Sequence, residues 1–210
     1  MSKKTDMLTF IFLSYSLAWL IWIGLWLADV KLGEPIAQAG TILAMWMPAF
    51  AFFILKKMRS ANMKLQAQFS TNLKGCWRYY LLALWLPAVL SFLGAGLYYI
   101  VFSKQFSLGF ETLREMLGRT GSPQINLPIQ IVIFAQLFSA LTYAPFLNSL
   151  FAIGEEIGWR GYLYPALRKR FSIVQAHLLV GLIWSIWHLP INLQGYNYYA
   201  PSKYLVDCFD

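Results

Sequence analysis

Glu155, Glu156, Arg160 and His188 sit inside runs that otherwise read as lipid-compatible helix, on either side of the basic turn Arg168-Lys169-Arg170, within NSLFAIGEEIGWRGYLYPALRKRFSIVQAHLLVGLIWSIWHLP from Asn148 to Pro190. An ionisable side chain at membrane depth costs at least a few kcal/mol, so it faces a protein interior and marks a function. A carboxylate and an imidazole at one depth can share the activation of a water. The carboxylate accepts a proton as general base, and the imidazole orients the water or returns a proton to the leaving group. The structural alternative makes Glu156–Arg160 an ion pair that stitches helices and His188 an interfacial cap. Two adjacent acids level with a histidine in apolar sequence weigh against it.

The level follows from helix geometry. Glu155 lies 15 residues before Arg170, and His188 lies 16 residues after Ser172. At ~1.5 Å per residue both sit roughly 22–24 Å from the basic turn Arg168-Lys169-Arg170, so an antiparallel hairpin brings them to one depth. Glu156 and Arg160 are i,i+4 neighbours and can pair. Glu155 points about 100° away from Glu156 and is free to face a cavity. Asn148, on nearly the same face as Glu155, is a candidate polar partner. Trp184 stands i,i+4 before His188 as an aromatic wall, and Trp159 joins Asn148 and Trp184 as a residue expected to line or support the site. His177 falls about 16 Å from His188 along the axis, outside one site, and reads as structural.

Other chemistries fit less well. Zinc is not favoured, because only one histidine and two glutamates converge and the spacing is not H-E-x-x-H. No cofactor is expected. Serine or cysteine hydrolysis has no G-x-S-x-G, and neither Cys76 nor Cys208 neighbours a histidine.

The elements that position these residues are apolar spans. The chain is 59% hydrophobic and 12% charged, where a soluble domain carries about 25% charged residues. Nine Trp and twelve Tyr fit interfacial belts. The net charge of +8 lies in short loops between spans; it reads as orientation in a lipid bilayer, and nucleic acid is not expected as a partner. The spans read as Leu8–Ala28, Ile36–Leu55 with Pro48 inside, Tyr79–Phe102 with Pro87 and a Gly-Ala-Gly for close helix contact, and Ile129–Gly154 with a break or kink at Pro145. Residues 56–78 carry six basic residues and no acidic one, which reads as cytoplasmic. Phe110–Leu117 has the spacing of a surface helix. Continued from Ile129 to Leu167, one straight helix would be ~60 Å long, far beyond a ~30 Å core. Either Pro145 separates two helices, or the motif helix bends or projects out of the bilayer. The fold expected is all-α: one polytopic helical membrane domain over residues 1–210 with about five or six transmembrane helices.

At Glu155-Glu156-Ile-Gly-Trp-Arg160 and Trp184-Ser-Ile-Trp-His188 the chain resembles the CAAX-protease and bacteriocin-processing (CPBP, Abi) family of intramembrane endopeptidases, whose motifs are E-E-x-x-x-R and an aromatic followed by three residues and then histidine. The resemblance covers about Phe146 to Pro190. It implies that Glu155 activates water with His188, that Glu156 and Arg160 shape the site, and that no metal takes part. It further implies a peptide or protein substrate, prenylated or bacteriocin-like, met in a multi-pass protein of the bacterial plasma membrane. The family's later His-x-x-x-Asn motif has no counterpart here: after His188 there is no histidine, although Asn192 and Asn197 follow. The expectation is a sequence truncated before the last helices of a larger bundle. A non-catalytic bacteriocin self-immunity or scaffold protein of the same fold is the alternative function, and a proton-relaying transporter stands third.

Overall fold

In lipid each backbone polar group must be satisfied within its own segment, so apolar runs of this length fold as helices. The computed structural model describes residues 3–59, 74–103 and 128–196, and among these there are helices and no strand. They are α1 (Lys3–Leu27), α2 (Pro35–Met45), α3 (Met47–Arg59), α4 (Trp77–Val101), α5 (Ile129–Leu141), α6 (Ala144–Gly158), a π-helical segment Trp159–Leu163, α7 (Tyr164–Arg168), α8 (Ile173–Trp187) and α9 (Leu189–Leu193). The expected surface helix at Phe110–Leu117, most of the basic loop, Asn197 and Cys208 lie outside the described residues.

Proline placement explains the interruptions. Pro35 opens α2, where its missing N–H is one a helix start leaves unpaired anyway. Pro48 sits in the first turn of α3 for the same reason, and α2 and α3 meet at Trp46 with a bend of 41°. The expected second span is therefore a bent pair. Pro87 is carried inside α4 without ending it. The long run from Ile129 resolves into two helices: α5 stops before Thr142–Tyr143, and Pro145 falls in the first turn of α6.

The chain is thus an all-α polytopic membrane protein. Among the described residues Thr5–Leu27 and Trp77–Val101 are each long and apolar enough to cross a bilayer, and there are up to four spans if each bent pair counts as one.

The chain groups into two compact units. One, Phe69–Ser149, holds α4, α5 and the start of α6. In its Gly94-Ala95-Gly96, expected to admit a close helix, a Cβ on either glycine would meet nothing within 4 Å among the described residues. The other unit, Met1–Gln68 with Leu150–Asp210, holds the remaining helices. Here α1 packs against α2, α3, α8 and α9, and Phe10, Trp22, Phe52, Leu55, Trp159 and Trp187 form its core. Asp6 and Arg59 pair at 3.0 Å, tying the start of α1 to the end of α3. Close helix contact occurs at Gly154 and Gly158 of α6. A Cβ on Gly154 would stand 2.5 Å from the Trp46 Cα, and one on Gly158 would collide with Pro48. The motif helix is pressed onto the α2–α3 bend, and only glycine permits that approach.

Candidate active site

The hairpin that carries the motifs is closed by local chemistry. Ser172 and Gln175 form a reciprocal capping box at the start of α8, with Gln175 N–H donating to Ser172 Oγ at 3.3 Å and Ser172 N–H to Gln175 Oε1 at 3.1 Å. Arg168 donates to the Phe171 carbonyl at 2.6 Å and holds the preceding turn. His177 lies in the first turns of α8, exposed, with Nδ1 2.8 Å from the Ile173 carbonyl and its ring 4.7 Å from that of Tyr164. It belongs to the turn and takes no part in the site.

At the far end of the hairpin the two motifs meet. Glu155 is 5% exposed, and its Oε2 accepts a hydrogen bond from Trp184 Nε1 at 2.7 Å. Glu156 is half-buried and accepts from Arg160, the i,i+4 pair expected from the spacing. The Arg160 guanidinium in turn lies over the Trp184 ring, 5.1 Å from its centroid. Arg160 and Trp159 open the π-helical segment. Such one-residue insertions re-aim side chains and recur at functional sites.

His188 ends α8 and starts α9. Its Nδ1 lies 3.0 Å from the Trp184 carbonyl. A carbonyl only accepts, so Nδ1 carries the proton, and in the neutral ring Nε2 is left as an acceptor. Trp184 therefore bonds both candidate groups, Glu155 through its indole N–H and His188 through its backbone oxygen. The imidazole is surrounded by indoles. Trp184 and Trp22 lie nearly parallel to it at 6.5 and 6.2 Å, and Trp187 meets it edge-on at 4.6 Å. Trp159 is fully buried against Trp184, Trp187 and Phe10, a supporting position. Asn148 is exposed and falls in the other compact unit.

Among the described residues no three His, Cys, Asp or Glu side chains gather as a metal ion would require.

What sequence reasoning passed over is α1, taken there only as a span. Tyr15 OH donates to the Ile183 carbonyl, Trp19 Nε1 to the Trp187 carbonyl at 2.9 Å, and Trp187 Nε1 returns a bond to the Ser14 carbonyl at 3.1 Å. These bonds fasten α1 along the last turns of α8 by side chain. The available signal was the recurrence of polar-tipped aromatics at positions 15, 19 and 22 of an otherwise lipid-like helix.

Residues 133–206 match the family model described as type II CAAX prenyl endopeptidase Rce1-like. Over those residues the chain is similar to that family. The matched stretch contains both motifs, and it supports the likeness to CAAX proteases that the motifs implied. A curated relative, CAAX prenyl protease 2 of Methanococcus maripaludis, is 43% identical over 53 residues, a stretch that makes up 25% of this chain and 20% of the relative. No solved structure matches. Helix α1 and the α2–α3 bend lie outside the Rce1-like residues, yet both pack onto them.

Proposed function

We propose that this chain is an intramembrane endopeptidase that hydrolyses a peptide bond with water activated by Glu155 and His188. The observation that carries the reading is the single residue Trp184 bonded to both groups, which fixes their relative placement. With one oxygen of Glu155 held by the indole, the other is free to take a proton from water. Nε2 of His188 is the acceptor that aligns that water. As the water oxygen bonds to the carbonyl carbon, its proton passes to Glu155. As the C–N bond breaks, that proton passes to the departing amine, leaving a free carboxyl and the carboxylate restored. Glu156 and Arg160 act by holding Trp184 in place, and the step needs no metal.

The substrate class proposed is a peptide or protein C-terminus presented at the membrane. A prenylated CAAX end is supported by the printed name of the Methanococcus maripaludis relative. The setting proposed is a multi-pass position in the plasma membrane.

The test is cleavage of a prenylated CAAX-type peptide by the full chain in proteoliposomes. Glu155→Gln and His188→Ala are expected to abolish release of the C-terminal fragment, and chelator is expected to leave the wild-type rate unchanged. Undiminished cleavage by Glu155→Gln would overturn the assignment of the base. If the wild type shows no cleavage, the reading of this chain as a peptidase fails.

A further inference from the structure

His188 lies inside the Rce1-like residues, but part of its surroundings does not. Trp22 comes from α1, 166 positions before His188 in the chain, and its ring lies 24° from parallel with the imidazole at 6.2 Å. Trp22 is 2% exposed, so this placement is set by packing and not by a surface rotamer. Two contacts hold it. Its ring meets that of Trp187 at 4.8 Å, and its backbone oxygen accepts from Gln194 Nε2 at 3.2 Å. Gln194 follows the short helix α9 that His188 begins, so the same peptide stretch carries the imidazole and fastens α1 beside it. The indole N–H of Trp22 has no partner among the described residues. What Trp22 offers His188 is therefore its ring.

The bond from Nδ1 to the Trp184 carbonyl fixes one nitrogen but leaves the ring free to swing about it. Walls must stop that swing, and among the described residues Trp22 is the ring supplied from outside the hairpin. We propose that Trp22 of α1 is a positioning residue for His188, holding the imidazole plane in which Nε2 faces the reacting water. The candidate site accordingly extends beyond residues 133–206 to the N-terminal helix. The inference rests on the peptidase reading for its effect on rate, but the positioning itself is measurable without any substrate.

The chain contains two histidines, His177 and His188, so each can be followed separately by mass spectrometry after carbethoxylation with diethylpyrocarbonate. The full chain in proteoliposomes is compared with Trp22→Ala, Trp22→Leu and Trp22→Phe. Loss of the ring is expected to raise the modification rate of His188 several-fold while leaving exposed His177 unchanged, and Trp22→Phe is expected to restore protection. In the cleavage assay kcat of Trp22→Ala is expected to fall about 10- to 100-fold, the scale of a misplaced reacting group, with little change in KM. Should Trp22→Ala unfold, both histidines will react faster, and Trp22→Leu, which fills volume without a ring, then decides. A Trp22→Leu protein with wild-type His188 modification overturns the proposal. So does wild-type cleavage that Trp22→Ala leaves intact. If the wild type does not cleave but ring loss still exposes His188 alone, the positioning stands and the peptidase reading falls.

Discussion

The indole N–H of Trp184 is bonded to Glu155 at 2.7 Å, across the two helices of the motif hairpin. A buried carboxylate oxygen without that donor would lose its fixed orientation, and a hydrogen bond to a charged group contributes about 1.5–3 kcal/mol. Trp184→Phe keeps an aromatic wall beside His188 and removes only the donor. Its kcat for peptide cleavage is expected to fall about 10- to 100-fold on that scale, with KM nearly unchanged. Equal losses in Trp184→Phe and Trp184→Ala would be consistent with this. A wild-type kcat in Trp184→Phe would mean the bond has no part in the reaction.

Arg160 touches two partners, and they are separable. The Glu156–Arg160 pair is partly exposed, with side-chain exposures of 35% and 58%, so solvent screens it. Glu156→Gln is expected to change stability by less than about 1 kcal/mol. The guanidinium plane over Trp184 is the second contact, and a lysine cannot reproduce it. Arg160→Lys is therefore expected to lose several-fold more cleavage activity than Glu156→Gln, although it keeps the charge. Thermal unfolding in detergent and initial cleavage rates, measured side by side, check both halves.

The capping box at Ser172 anchors the turn from which both motif helices rise. Ser172→Ala removes one acceptor for an orphan N–H and is expected to cost about 1 kcal/mol of stability. The turn is remote from Glu155, so cleavage at low temperature is expected to stay near wild type. A large activity loss without a stability change would show that the hairpin needs an intact turn to hold its far end in register.

Much of this arrangement was legible in the sequence, and the limits are physical. Helix rise alone placed Glu155 and His188 at one end of the hairpin, and the i,i+4 rule paired Glu156 with Arg160, because both depend on backbone geometry that packing does not alter. The all-helical membrane class followed from uncharged runs. Contacts between distant segments were not legible. Nothing local to Trp22 points to His188, and nothing local to Trp184 says that its N–H meets a carboxylate instead of lipid headgroups. The break before Pro145 was readable only as a choice, since a proline permits either a kink or a new helix start and the surrounding packing selects one. Glycine contacts were not legible either. A Cβ on Gly94 or Gly96 would meet nothing within 4 Å among the described residues, whereas one on Gly154 or Gly158 would collide with the α2–α3 bend.

That contrast gives the sharpest stability test. Gly154 and Gly158 flank the two acids, one turn apart, and both face the bend between α2 and α3. A methyl at Gly158 would meet the Pro48 ring and backbone, and one at Gly154 would meet the Trp46 backbone; neither partner is a flexible side-chain end that can move aside. Overpacking of this kind costs about 1–3 kcal/mol. A helix-interior alanine returns up to about 1 kcal/mol of propensity, so the clash outweighs the gain. Gly154→Ala and Gly158→Ala are each expected to lower the unfolding midpoint and to lower cleavage as well, since displacing α6 moves Glu155 away from Trp184. Gly181→Ala, in α8 with nothing within 4 Å, is the control and is expected to raise the midpoint by its propensity gain alone. If all three alanines behave alike, the motif helix does not depend on close contact with the bend. If only Gly181→Ala is tolerated, the N-terminal helices set the position of Glu155.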